Sequence, residues 1–319
     1  MTDNRSPKRN LLAGIDRPLK IGTRQSPLAV AQAEMVASAI LSAHGWRPDQ
    51  VELVPMIATG DKIQDRALAD LGGKALWTKE LDRALHDQEI DCAVHSMKDV
   101  ETLRPEIFTI AAMLKRADVR DRLVGADSIA SLPQAAVVGT ASPRRRAQLL
   151  RQRPDLDIRL IRGNVQTRLD KIRNGEYTAT LLASAGLDRL EMEAVGKNLS
   201  IDDMLPAPSQ GAIGVETLVE SNHIRRVFKE ISCTNTSRAV TVERLFLKEL
   251  TADCHSPVAA YAQVDGLDVN LRVEILLADG SESINGHSDF ITGDVAAPAR
   301  LARKILGQAS SELKAVFGR

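Results

Sequence analysis

The feature that most constrains this chain is a turn that occurs twice. "KIGTRQSPLAVAQ" (20–32) and "VVGTASPRRRAQ" (137–148) each run from an apolar strand through Gly-Thr to Ser-Pro and into a helix. Serine before proline suits an N-cap followed by the first helical position, where proline's missing N–H costs nothing. A strand-to-helix turn of this kind aims main-chain amides at one point and favours an anion there. Gly-Thr and Ser-Pro are each ordinary turn chemistry taken singly. As a pair with arginine beside each, they point to two anion-binding turns facing one another across a cleft.

The intervening pattern agrees. Strands are expected at 19–22, 51–58 and 91–96, with helices over 27–45 and 78–87. The polar, glycine-containing stretch before the second helix reads as a mobile loop. The order then restarts: "FTIAAML", "DRLVGA" and "AAVVG" as strands, a helix over 143–153, "DIRLI", a helix near 165–173, and "YTATLLAS". Alternation at these lengths implies α/β units with largely parallel sheets. "LPAPSQGAIGVET" (205–217) suits a crossing between domains. From about residue 237 a helix, the loop "TADCHSP", two strands and a final helix from about 295 suggest a small α+β domain.

Composition removes several functions. Lys+Arg and Asp+Glu balance at 42 each, so no global field draws the chain to nucleic acid or membrane, and a basic site must be local. Aromatic residues at 3% leave few platforms for stacking bases. Cys92, Cys233 and Cys254 are too irregularly spaced for a disulfide framework or a metal site, and Cys92 and Cys233 read as buried. The first residues lack an apolar core of signal-peptide length, and no 18-residue apolar run occurs. A reducing, cytoplasmic setting is the expectation, with no metal.

Local basic character is concentrated. From Ser142 to Arg173 there are nine arginines and one lysine against three aspartates. A solvated helix face accounts for Arg151, Arg153 and Arg173. Arg144, Arg145, Arg162 and Arg168 instead fall at strand ends and helix starts, where an open α/β sheet binds its ligand. The guanidinium fork binds carboxylate bidentately, so the cluster predicts a ligand with several carboxylates or phosphates. Lys98-Asp99 follows the strand "AVHS", again at a carboxyl end. There Asp99 could steady a cation formed during reaction, or the two could be a plain surface pair. His95 and Ser96 invite a triad, although a lone histidine beside a strand is more often packed or capping. "LGGKALW" lacks the Walker spacing and is either a lid carrying Lys74 and Trp77 or an ordinary loop. Cys254, beside His255, is an accessible thiol or an inert one.

Several stretches together resemble the porphobilinogen deaminase family: "IGTRQSPLA", "TGDKIQD", "GGKALWTKELD", "DCAVHSMKDV", "VVGTASPRRRAQL", "RLIRGNVQTRL", "LPAPSQGAIGVE" and the loop around Cys254. They recur in family order from about residue 19 to 260, and "AVHSMKD" with "RGNVQTRL" is highly specific. The resemblance implies two α/β domains like those of two-lobed periplasmic binding proteins, with mostly parallel sheets, and a small C-terminal α+β domain. Its expected bounds are 17–114 with 212–232, then 115–211, then 233–319, after a loose tail over 1–16. It implies a dipyrromethane cofactor, built from two porphobilinogens and thioether-linked to Cys254. Four porphobilinogens are then joined head to tail with release of four ammonia molecules, and hydroxymethylbilane is freed by hydrolysis.

By the same resemblance Asp99 is catalytic. Lys98, Ser26, Ser142, Arg144, Arg145 and Asp99 hold the cofactor. Arg24, Ser26, Arg162, Arg168, Arg189, Lys74 and Trp77 bind substrate. A cytoplasmic monomer that passes its product to the next enzyme of the pathway is implied. Ala252-Asp253 stands where the family often has glycines, Glu101 where it usually has proline, and Arg146 is an extra charge. Two rivals remain open from the residues alone: a non-enzymatic two-lobed polycarboxylate-binding module, and an enzyme using Lys98 as a Schiff-base nucleophile.

Overall fold

The computed structural model describes residues 17–57, 78–253 and 255–318. The expectations for Lys74, Trp77, Cys254, the 59–77 loop and the 1–16 tail fall outside these residues. The chain opens with β1 (Leu19–Arg24), α1 (Pro27–His44), β2 (Val51–Met56), α2 (Lys79–His86), β3 (Cys92–Ser96) and β4 (Phe108–Met113). It crosses to β5 (Asp121–Val124), β6 (Val137–Gly139), α3 (Pro143–Gln152), β7 (Asp157–Arg159), α4 (Val165–Arg173), β8 (Ala179–Ala183), α5 (Ser184–Asp188) and β9 (Lys197–Asn198). It then returns as β10 (Ile213–Leu218) and continues through α6 (Asn222–Lys229) and α7 (Thr234–Leu250). The last elements are β11 (Val258–Asp265), β12 (Asp268–Leu276), β13 (Ser283–Ile291), α8 (Ala297–Gln308) and α9 (Ser311–Val316).

Two sheets repeat one plan. The first has order β2-β1-β3-β10-β4 and the second β7-β6-β8-β5-β9. In each, one strand, β10 or β5, runs antiparallel to both its neighbours while the pairs around β1 and β6 are parallel. Those two antiparallel strands are the ones that follow a crossing between sheets. The repeated turns therefore occupy equivalent places, after β1 and after β6.

Their sequence follows from their surroundings. A Cβ on Gly22 would lie 2.3 Å from Ile90 Cδ1, and one on Gly139 2.9 Å from Ile161 Cβ, so each glycine makes room for an isoleucine. Ser26 accepts from the Ala29 amide and Ser142 from the Arg145 amide, each capping a helix with proline at its start. Gly45, at φ 65, closes α1 in the left-handed region.

Separate cores underlie the sheets. Ala33, Val36 and Ile40 of α1 pack on Leu19, Ile21, Val94 and Ile213, and each fully buried large aliphatic contributes about 1.5–3 kcal/mol. Leu123, Val138, Leu149 and Leu181 centre the second. The third joins α7 and α8 to the antiparallel sheet β11-β12-β13 through Phe246, Leu250, Leu271 and Ile305. The edge strand β13, "SINGHSDFI", escapes the sequence reading because it is polar and lies half-exposed along its length. Cys92 is buried as expected, but Cys233 is only partly covered, since it precedes α7 as N-cap instead of entering a core.

Candidate active site

The carboxyl end of β3 carries a single 3₁₀ turn, Met97–Asp99. Met97 is fully buried against Val100, Met113, Ala212 and Val240. A Cβ on Gly214 of β10 would lie 2.1 Å from the Met97 sulfur, so that glycine is what admits the side chain. Anchoring Met97 leaves Lys98 and Asp99 half-buried at the strand end.

Charges from both lobes act on one another here. Burial pulls the Lys98 ammonium down to about 8, Arg145 and Arg144 reinforce the fall, and Asp99 and Asp121 oppose it. Arg168 is drawn down to about 10 by burial and by Arg145 and Arg162, with Asp99 opposing. Lys98 and Asp99 follow a strand of the first sheet, whereas the arginines belong to the second lobe. The turn after β3 and the arginines that follow β6 and β7 thus share one space.

Arg144 and Arg145 are less open than their position at a helix start implied. Arg144, 3% exposed, donates to Asp121 Oδ2 at 2.8 Å, Gln148 Oε1 at 2.9 Å and the Leu205 carbonyl at 3.0 Å. Arg145 donates to Asp121 Oδ1 at 2.7 Å and the Leu181 carbonyl at 2.8 Å. Burial alone would raise the Asp121 carboxyl, but the two guanidiniums hold it well below the usual carboxylate range. Each arginine keeps a buried Nε–H with no hydrogen-bond partner among the described residues, as does Arg189. Arg189 donates to the Gly211 carbonyl at 2.7 Å, and burial lowers it to about 10 against the pull of Asp188. Arg168 Nε donates to the Gly163 carbonyl. Arg162 and Arg24 are half-buried at the ends of their strand-to-helix connections. Arg146 is exposed and donates to the Ile158 carbonyl, away from the paired arginines.

His95 and Ser96 form no triad. His95 Nε2 lies 3.0 Å from Glu216 Oε2, and Ser96 and Gln32 bond each other. Glu216 is also clamped by Arg104 Nε and Nη2, both at 2.8 Å. Burial would raise Glu216, but His95 and Arg104 hold it at about 2. Asp121, Arg104, Gln148 and Glu216 were missed from sequence, although the last two lie inside family stretches, because the pairs Asp121–Arg144, Arg104–Glu216 and Gln148–Glu274 span 23 to 126 residues.

Fold and site together define a two-lobed α/β protein in which a mainly basic cluster of charges gathers between the end of β3 and the second lobe. Residues 19–226 match the family model for the porphobilinogen deaminase dipyrromethane cofactor binding domain, and residues 237–307 match the porphobilinogen deaminase C-terminal domain. Porphobilinogen deaminase of Sphingopyxis alaskensis is 51% identical over 97% of this chain and 99% of its own. That of Paracoccus denitrificans is 45% identical over 92% and 96%. Among solved structures, a substrate-binding domain of Lactococcus lactis GlnP aligns with TM-score 0.41 at 11% identity, covering 70% of this chain and 88% of that one. The chain belongs to the porphobilinogen deaminase family.

Proposed function

We propose that the chain condenses four porphobilinogen molecules head to tail on a dipyrromethane primer held by Cys254, releasing four ammonia molecules and then hydroxymethylbilane. The observation that carries this is the meeting of Lys98, Arg144, Arg145 and Arg168 in one buried space with Asp99 and Asp121. Each pyrrole brings an acetate and a propionate. A buried cation excess is costly by itself and is offset by such a ligand.

The residues fit the cofactor. The unpartnered Nε–H groups of Arg144 and Arg145 are buried donors in a cation cluster. When bound, dipyrromethane supplies an electron-rich pyrrole carbon to which the first substrate is joined. Lys98, Arg144, Arg145 and the Ser26 and Ser142 turns hold its carboxylates. Arg24, Arg162, Arg168 and Arg189, with Lys74 and Trp77, bind the incoming porphobilinogen. Asp99 accepts from pyrrole N–H groups and stabilises the cation left on the substrate methylene when ammonia departs.

In this reading the domains are 17–114 with 212–232, 115–211, and 233–319. The chain acts as a cytoplasmic monomer and passes hydroxymethylbilane to the next enzyme. No helix among the described residues is long and apolar enough to cross a membrane.

Intact mass of the purified chain tests the assignment. An adduct of two pyrrole units and a pink product from porphobilinogen under acid are expected. Cys254→Ser should lose the adduct. A chain with neither adduct nor product would leave only the binding-module reading. Borohydride trapping of substrate on Lys98 would favour the Schiff-base alternative.

A further inference from the structure

The turn that follows Asp99 is held from the third domain. Arg244 of α7 donates Nη1 to the Val100 carbonyl at 3.1 Å and Nη2 to the carbonyls of Glu101 and of Thr102, the latter at 3.1 Å. One guanidinium thus satisfies three successive main-chain acceptors directly after the catalytic aspartate. Val240, one turn earlier on α7, packs against Met97 and Val100, so the same helix face frames both sides of Lys98-Asp99.

The reverse tie is a single side chain. Thr102 Oγ1 donates to the Ala252 carbonyl at 3.0 Å. Ala252 is 3% exposed and lies just past the end of α7, where Thr251 takes a left-handed φ of 58. Two residues further along the chain is Cys254. The main chain leading to the cofactor thiol is therefore bonded to the turn leading from Asp99.

That turn is also fixed from the first domain. Glu101, which replaces the family's usual proline, accepts from Thr78 Oγ1 at 3.1 Å and from Arg104 Nη1 at 2.8 Å. With the backbone of 100–102 held on two sides, the Thr102 hydroxyl adds a direct bond from this turn to Ala252, whose own amide donates to the Leu247 carbonyl at 2.9 Å.

We propose that Thr102 is a positioning residue for the condensation: through its bond to Ala252 it keeps the cofactor-bearing loop in register with Asp99. The proposal rests on the function given above. A primer tethered through a thioether presents its reacting carbon only as accurately as its anchor is placed. Displacements near 1 Å from residues outside the chemistry can cost on the order of 100-fold in rate. The threonine hydroxyl donates to the Ala252 carbonyl, so its loss should act on turnover and not on substrate affinity.

The test compares Thr102→Val, which keeps the shape and removes the donor, with Thr102→Ser, which keeps the donor. Both are purified as loaded enzyme, with adduct content read by intact mass and folding by thermal midpoint. Thr102→Val should be fully loaded and fall about 10-fold or more in kcat with KM within about two-fold. Thr102→Ser should recover to within about two-fold of wild type. If the valine variant is too poorly folded to assay, Thr102→Ala should show the same kcat loss at full loading. Wild-type turnover in the valine or alanine variant would overturn the proposal. So would a serine variant as impaired as valine, or a loss that merely tracks the unloaded fraction. A wild-type chain without hydroxymethylbilane synthesis would overturn the functional reading itself, an outcome distinct from an active wild type with an unaffected valine variant.

Discussion

Replacing Asp121 by asparagine should expose how much the arginine pair depends on one buried carboxylate. Asp121 is 1% exposed and accepts from Arg144 at 2.8 Å, Arg145 at 2.7 Å and Gln210 at 2.9 Å. Asparagine keeps the volume but loses the charge and turns one acceptor into a donor facing a guanidinium. Removing one partner of a buried ion pair costs about 3–5 kcal/mol. At about 2.1 cal/mol/K per residue, a 319-residue chain unfolding as a unit should lose roughly 4–8 °C of thermal midpoint. The drop should persist in high salt, because buried pairs are poorly screened. It should be smaller in adduct-bearing chain than in a Cys254→Ser background, since bound carboxylates replace part of the missing charge. The folded carboxyl lies below its unfolded value near 3.9, so its stabilisation is complete above about pH 4 and lost as pH falls further. Variant and wild type should accordingly converge in acid. Differential scanning fluorimetry of both backgrounds settles it. A shift no larger than that of Asp170→Asn, whose exposed pair with Arg173 is worth about 0–1 kcal/mol, would refute the reasoning.

Asp99→Ala should unfold within about 1 kcal/mol of wild type yet lose turnover on the order of 100-fold or more, measured as hydroxymethylbilane formed by loaded enzyme. Because burial pulls Lys98 down to about 8 in the empty chain, polycarboxylate binding should weaken as pH rises above that value, with proton uptake on binding there and little well below it, and Lys98→Met should flatten the profile. In the empty chain the sign reverses: the folded state binds fewer protons than the unfolded between about 8 and 10.4, so Lys98 costs stability below that window and the cost fades across it. Gly139→Val should cost about 1–3 kcal/mol in urea denaturation through overpacking against Ile161, whereas Gly307→Ala, in a helix with open space around it, should gain up to about 1 kcal/mol.

Much of the plan was legible in local sequence. The Ser-Pro caps, the strand-helix alternation and the placement of Lys98-Asp99 after an apolar strand depend on interactions spanning a few residues, which a linear reading can follow. The polar edge strand Ser283–Ile291 was not legible, since hydrophobic alternation weakens where one side has no core to face. Cys233 misled for a related reason: a neighbouring apolar helix does not say on which side of its end a side chain lies.

The sequence by itself determined two α/β lobes, a repeated turn after equivalent strands, and an arginine-rich connection in the second lobe, because each is written in neighbouring residues. Only the tertiary structure decided how those arginines are used. Arg144 and Arg145 meet over Asp121, a residue of a different strand, and Arg146 turns outward although all three share one tripeptide. The helix fixes their relative angles, but the carboxylate that shares their charge is brought by a crossing strand. The tie between Thr102 and Ala252 spans 150 residues and likewise exists only once α7 has packed against the first lobe.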